Sequence, residues 1–132
     1  MVNRVLAHTG ARHPVIQFLA SSESPVHTHY KQAVLAADET GTVVVNRTGS
    51  PTMRVLGTEF SRALAASGGP AHSSLDAINR LYFDGEMEAS LASAGQSVGL
   101  VHDVVSVATI IENTMAGFRA AMATAVRRAG EV

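Results

Sequence analysis

The chain of 132 residues contains no cysteine, which excludes disulfides, thiolate catalysis and cysteine-ligated metals. Aromatic residues make up only 5% of the sequence against 46% hydrophobic residues, so a core must be built mainly from Ala, Val, Leu, Ile and Met. No apolar run is long enough to cross a bilayer, and residues 1–20 do not resemble a signal peptide. We therefore expect a cytoplasmic protein without a membrane partner.

Charge of one sign is lacking as well. Ten Lys and Arg residues against eleven Asp and Glu residues leave a formal net charge of -1. The one basic cluster, Arg127-Arg128, falls near the end of a predicted helix, where cations favour the negative pole of the helix dipole. This balance gives no electrostatic reason to expect nucleic acid as a partner.

The first half of the chain predicts a strand, a helix and a hairpin. Residues 1–14 are irregular, and the apolar run 15–20 is suited to a buried strand. Ser24 as N-cap and Pro25 in the first helical position predict a helix that ends by Gly41. Residues 42–46 and 52–56, joined by turn residues at 48–51, predict an antiparallel hairpin.

The second half predicts helices. Thr58 caps one that stops at residues 68–70, Ser74 caps another that closes at residues 84–85, and a brief helical stretch is expected over 86–93. From Ser106 onwards, apolar residues recur in steps of three and four, which predicts a long amphipathic helix. That apolar stripe consists of Val107, Ile111, Met115, Phe118, Met122 and Val126.

These elements indicate an α+β fold that is mostly helical. The single strand at 15–20 is of the buried, parallel type, and such a strand needs neighbours on both sides to satisfy its backbone groups. No other segment of the sequence is suited to lie beside it in parallel. The sequence therefore resembles a piece of something larger.

Three segments resemble the nitronate monooxygenase family, once called 2-nitropropane dioxygenases. The first is the run F-L-A-S-S-E-S-P-V-H from Phe18 to His27, followed by Tyr30-Lys31. The second is the hairpin with its sequel Arg54-Val55-Leu56. The third is A-G-Q-S-V-G-L-V over 94–101, which matches the family's loop A-G-Q-x-V-G-L-I, and it is followed by the final helix. The resemblance covers roughly residues 17–128.

The resemblance implies the C-terminal part of an FMN-binding β/α (TIM) barrel with an inserted subdomain of a hairpin and helices. Residues 15–38 would be the last barrel strand and its helix, 39–93 the inserted subdomain, and 94–132 the A-G-Q loop and closing helix, all in one structural unit. The family oxidises nitronates with flavin and oxygen, and enoyl reductases of the bacterial fatty-acid pathway are similar relatives.

The resemblance also shows what is missing. The family's catalytic histidine and most of its flavin contacts precede the position of Val15, so no residue here inherits a catalytic role. The family holds the FMN phosphate with a G-T pair whose place is taken by Val15-Ile16, behind Pro14, which has no N–H to donate. Gly10-Ala11 are candidate remnants of a preceding glycine-rich stretch. A truncated or frame-disturbed gene start is our hypothesis, with a chain that is inactive alone.

The candidate cofactor-binding residues are Gly95, Gln96 and Ser97, which by resemblance lie at the catalytic face of the barrel. Glycine permits close backbone approach, while Gln and Ser offer donors to a flavin edge or a nitro group. The alternative is a loop that merely turns the chain before the last helix.

The other polar candidates favour structural interpretations. His27 and His29 are expected to point to different faces of a helix start, and four further histidines have no partner at metal-ligand spacing. These four are His8, His13, His72 and His102. Tyr30 is expected at the edge of the core and Lys31 in solvent, although either could touch a phosphate. We expect no metal site.

Two functions of different classes remain open. In the first, the chain belongs to a flavin-dependent oxidoreductase that acts on a small nitronate substrate once the barrel is completed. In the second, it is a non-catalytic, self-associating helical module without a cofactor, because the apolar stripe of the last helix favours association.

Overall fold

The computed structural model describes residues 14–47 and 51–130. Five helices and one hairpin follow one another in the order α1 (Pro14–Leu19), α2 (Thr28–Ala36), β1 (Thr42–Val45), β2 (Met53–Leu56), α3 (Glu59–Ser67), α4 (Leu75–Asn79) and α5 (Val107–Ala129). A π-helical turn (Arg80–Asp84) continues α4, and a 3-10 turn (Gln96–Leu100) precedes α5. The predicted α+β, mostly helical class is confirmed.

The predicted strand at 15–20 is wrong, because this segment is the helix α1. The strand depended on parallel neighbours, and the two strands of the described chain form an antiparallel hairpin that offers it none. A helix forms its backbone hydrogen bonds between its own residues, apart from the groups at its two ends, so α1 needs no strand beside it. The side chain of Ile16 is buried in the core and Val15 is exposed, as expected for a helix that packs one face.

The second helix begins later than predicted. Ser24 and Pro25 precede it, and His27 is the actual N-cap, whose Nδ1 accepts a hydrogen bond from the backbone N–H of His29 at 3.2 Å. The turn that Ser24 and Pro25 occupy is held by longer-range contacts described below. Tyr30 and Val34 are the buried residues of α2.

The hairpin is confirmed, with Thr42 opposite Leu56 and Val45 opposite Met53 in an antiparallel register. Most of its predicted turn at 48–51 lies outside the described residues. Asn46 follows β1 with a positive φ of 55°, a conformation that Asn adopts more readily than most residues. The buried faces of Val45 and Val55 pack with Leu91 into a small second core.

The caps of the later helices follow local chemistry and are confirmed. The hydroxyls of Thr58, Ser74 and Ser106 each accept a hydrogen bond from a backbone N–H in the first turn of α3, α4 and α5. Gly68 closes α3 in the left-handed conformation. The brief helix predicted at 86–93 is wrong, because these residues form turns that lead into an extended segment.

The main core lies between α1, α2, β2 and the 3-10 turn. Its most buried members include Tyr30, Val34, Leu81, Val98 and Val101. The only buried residue of α5 is Ile110. Although α5 is 23 residues long, its composition is too polar for a membrane span, and no other described helix qualifies.

The predicted long helix at the end of the chain is confirmed as α5, and its apolar stripe is exposed. Ile111, Met115, Phe118 and Met122 are 51%, 44%, 56% and 50% exposed, and Val126 is 68% exposed. The rest of the chain lies instead against the neighbouring face of α5, centred on Ile110. Other parts of the described chain therefore leave about four helical turns of apolar surface open.

Candidate functional site

The segment before the A-G-Q loop extends the hairpin. The backbone N–H of Leu56 donates to the carbonyl of Ala92 at 2.8 Å, and the N–H of Ala94 donates to the carbonyl of Arg54 at 3.2 Å. Ser93 forms an isolated antiparallel bridge with Val55. Residues 92–94 are thus fixed along β2, and the loop begins at a rigid edge.

Gly95, Gln96 and Ser97 come directly after this edge and lie together on the surface. Gly95 is extended, with φ -88° and ψ 170°, and it precedes the 3-10 turn. Gly95 and Gln96 are exposed, while Ser97 is half-buried. Within the described part of the chain, nothing hydrogen-bonds to the Gln96 side chain, so its amide is available to a ligand.

Space at the two glycines of this loop differs. A Cβ built on Gly95 would meet only the Oγ of Ser97, at 3.6 Å, which is an ordinary contact. A Cβ on Gly99 would collide with the backbone of Asp38 and Glu39. Gly99 is therefore required by packing, whereas neither φ nor packing against the described residues requires glycine at 95. Close approach by a ligand is a reason that would apply to Gly95.

The start of α5 is held by Glu23, a residue that sequence reasoning did not single out. Both carboxylate oxygens of Glu23 accept from the backbone N–H of Val107, at 3.0 and 3.1 Å. The hydroxyl of Ser22 donates to the same carboxylate, and the N–H of Ser22 donates to the carbonyl of Val105. These hydrogen bonds, from Ser22 first and Val107 second, lower the pKa of Glu23.

Lys31 is not solvated as predicted but organises the turn before α2. Its Nζ donates to the carbonyl oxygens of Ser21 at 2.7 Å and Ser24 at 2.9 Å. Ser21 is 1% exposed, so its carbonyl is in a place where water has little access. The contacts of Lys31 within this chain therefore account for its ammonium group without a phosphate or substrate.

Tyr30 is deeper than the predicted core edge. It is fully buried, its ring lies 5.1 Å from that of Tyr82 between centroids, and its hydroxyl has no hydrogen-bond partner among the described residues. Burial raises the pKa of Tyr30, so the hydroxyl stays neutral at ordinary pH.

The histidine pair is closer than predicted. The rings of His27 and His29 touch edge to face, with centroids 4.5 Å apart, instead of pointing to different faces. The Nδ1 of His29 lies 3.0 Å from the carbonyl oxygen of Gly85, so both imidazoles are engaged with the backbone. His72 and His102 are exposed, and His8 and His13 lie outside the described residues. The described ranges hold no group of three side chains able to bind a metal ion.

The candidate loop lines neither of the following two cavities, which are formed by described residues. The larger, about 440 Å³, lies between the end of α2, the end of β2 and the start of α3. Its charged groups already have partners: Asp38 accepts from Thr40, Arg62 donates to the carbonyl of Gly57, and Glu88 accepts from the first backbone N–H groups of α3. The smaller, about 280 Å³, is lined by residues that include Met53, Tyr82 and Ser93.

The segment that would hold the flavin phosphate does not have the shape of a cradle. Val15 and Ile16 lie in the first turn of α1, and the side chain of Ile16 is buried in the core. A phosphate needs several backbone N–H groups and little side-chain bulk around them. Val15 and Ile16 therefore do not form a phosphate site.

Comparison with solved structures relates this arrangement to one part of a larger protein. The chain is similar to a structure of FabK from Thermotoga maritima, with 27% identity and a TM-score of 0.68 over 87% of this chain and 38% of that chain. A point variant of the same FabK gives 30% identity and a TM-score of 0.67, over 87% of this chain and 34% of that chain. The chain thus spans about a third of the length of FabK. No family model matches the sequence.

Proposed function

We propose that this chain is a segment of a flavin-dependent oxidoreductase of the β/α-barrel class. The observation that carries the proposal is the similarity to FabK, at 27–30% identity over 87% of the chain. The A-G-Q-S loop, in the same region, independently resembles flavin enzymes of this class. FabK enzymes are FMN-dependent enoyl reductases, and this supports a flavin more strongly than it supports a particular substrate.

The part that this chain would contribute is the loop Gly95–Ser97 on its rigid base. Residues 92–94 are fixed to β2, so Gln96 is presented from a defined position. The amide of Gln96 and the hydroxyl of Ser97 would donate to, or accept from, the polar edge of the flavin ring. Because the phosphate cradle does not fit, we expect no tight FMN binding and no turnover by the chain alone.

The reaction of the completed enzyme is a finer proposal. The resemblance of three sequence segments favours oxidation of nitronates, the anions of nitroalkanes, with oxygen. The similarity to FabK favours reduction of an enoyl thioester instead. Either reaction would use the flavin, so flavin binding is tested before the substrate.

A direct test titrates FMN and riboflavin into the purified chain and follows flavin fluorescence. Riboflavin lacks the phosphate, so equal and weak quenching of the two flavins is expected. Tight binding of FMN over riboflavin would contradict the absence of a phosphate site.

A chimera tests the loop itself. Residues 14–130 replace the matching segment of the Thermotoga maritima FabK, and bound flavin is measured by its visible spectrum. We expect the chimera to bind flavin more weakly than the parent FabK, because the Val15-Ile16 segment that it carries does not form a phosphate site. Gln96→Ala should weaken the remaining binding by about tenfold, and Gln32→Ala, at an exposed position of α2, should leave it unchanged. A folded chimera whose flavin binding is unchanged by Gln96→Ala would refute the assignment of Gln96 to the flavin site. Loss of propionate 3-nitronate with oxygen uptake then tests the substrate.

A second function is favoured by a different observation. The open apolar stripe of α5 is the kind of surface that mediates association between proteins. We therefore keep a non-catalytic, oligomerising module as the alternative proposal.

A further inference from the structure

We infer that two copies of this chain associate through the exposed stripe of α5, as an antiparallel helix pair. The inference specifies the partner of the oligomerising module and holds whether or not a flavin binds. It rests on three features of α5: the spacing of its apolar residues, the position of its charges, and the place where the rest of the chain packs.

The spacing is that of a helix-pairing seam. Ile111, Met115, Phe118 and Met122 follow in steps of four, three and four, the alternation that keeps one seam facing a partner helix. Each of these side chains is about half exposed, so none is already used in the core. The seam spans about 16 Å along the helix axis, from 1.5 Å per residue.

The charges select the orientation. Glu112 and Arg119 are seven residues apart and so lie on the same edge of the stripe, both in solvent. In an antiparallel pair, equal edges of the two helices meet. When Met115 lies opposite Phe118 of the second copy, Ile111 lies opposite Met122 of that copy. In this register Glu112 faces Arg119 of the second copy, and the twofold symmetry of the dimer forms the same ion pair a second time.

A parallel pair lacks this complementarity. There, the edge residues facing Glu112 and Arg119 would be Val107 and Thr114 of the second copy, which carry no charge. The rest of the chain packs near Ile110, close to the start of α5. Antiparallel pairing puts the two chain bodies at opposite ends of the helix pair, whereas parallel pairing would crowd them together.

The first test is sedimentation equilibrium of the full chain from 1 μM to 500 μM, concentrations that bracket a weak helix pair. We expect a reversible monomer–dimer equilibrium. Phe118→Lys should weaken the dimer at least about a hundredfold, since it places two charges in the seam. Leu75→Lys is the matched control: Leu75 is 74% exposed on α4, outside the stripe, and the change should leave association unaltered. Circular dichroism verifies that both variants fold.

The second test examines the orientation. Glu112→Arg and Arg119→Glu should each raise the dissociation constant of the dimer about tenfold, and the variant with both exchanges should restore it. A spin label on Ala123→Cys, the only cysteine in that variant, should report two labels offset by about 20 Å along the axis, against no offset in a parallel pair. A chain that stays monomeric at 500 μM overturns the inference. That result would be expected if only the remainder of a barrel covers the stripe. A dimer insensitive to Phe118→Lys, or a double exchange as weak as the single variants, overturns it equally.

Discussion

Replacement of Lys31 by Met tests whether this residue is structural. Met keeps most of the aliphatic stem and removes the ammonium group that donates to the carbonyls of Ser21 and Ser24, at 2.7 and 2.9 Å. Hydrogen bonds from a charged donor contribute roughly 1.5–3 kcal/mol each when buried. Because Lys31 is only half-buried, solvent replaces part of this contribution, and we expect a total loss of about 2 kcal/mol.

Urea denaturation followed by circular dichroism measures this loss as a lower free energy of unfolding at an unchanged m-value. The melting temperature should fall by roughly 6–10 °C for a chain of this size. Gln32→Met is the matched control, since Gln32 is the exposed neighbour on α2 and receives the same new side chain. If Lys31→Met and Gln32→Met agree within about 0.5 kcal/mol, Lys31 does not hold the turn and a ligand-binding role becomes the better explanation.

Three further predictions concern single contacts. The pKa of Glu23 is lowered in the folded chain, so the stabilisation from its hydrogen bond to Val107 is fully present above the ordinary glutamate pKa. This stabilisation is lost as the pH falls through the lowered pKa. The difference in free energy of unfolding between wild type and Glu23→Gln should therefore shrink from pH 7 to pH 3 in urea titrations. Tyr30→Phe removes a buried hydroxyl that has no hydrogen-bond partner among the described residues, so the free energy of unfolding should stay equal or rise by about 1 kcal/mol. A loss of more than about 1 kcal/mol would show that the hydroxyl does form a hydrogen bond in the folded chain. Gly99→Ala should lower the free energy of unfolding, measured in denaturant, by about 1–3 kcal/mol, whereas Gly95→Ala should leave it unchanged. Equal losses in the two variants would contradict the packing of Gly99 against residues 38–39.

The helix caps and the hairpin could be predicted, because residues close in sequence determine them. Thr58, Ser74 and Ser106 cap their helices because a hydroxyl needs only the backbone of the next three residues. The hairpin follows from β-branched runs on both sides of a turn. For the candidate loop, the glycines and polar side chains were visible in the sequence, but the unlike roles of Gly95 and Gly99 depend on residues 38–39, which are distant in sequence.

Contacts between distant segments could not be predicted. Glu23 caps α5 from 84 residues away, and neither periodicity nor composition marks such a pair. The same holds for Lys31, whose side chain looked solvated because lysine usually is. The stripe of α5 was recognised from its period, but periodicity shows only that a face is apolar, and it does not say whether this chain or another molecule covers that face.

The segment Pro14–Leu19 leads to the last prediction. Its apolar, β-branched sequence suits a buried parallel strand, yet in this chain it is a six-residue helix, and helices this short are marginal without tertiary support. In the FabK chimera, strands on both sides could satisfy the backbone of a strand here. We therefore expect the Cα chemical shifts of Val15 and Ile16 to be helical in the isolated chain and extended in the chimera. Helical shifts in both proteins would show that sequence, not missing neighbours, fixes the helix, and the relation of this segment to a barrel strand would be lost.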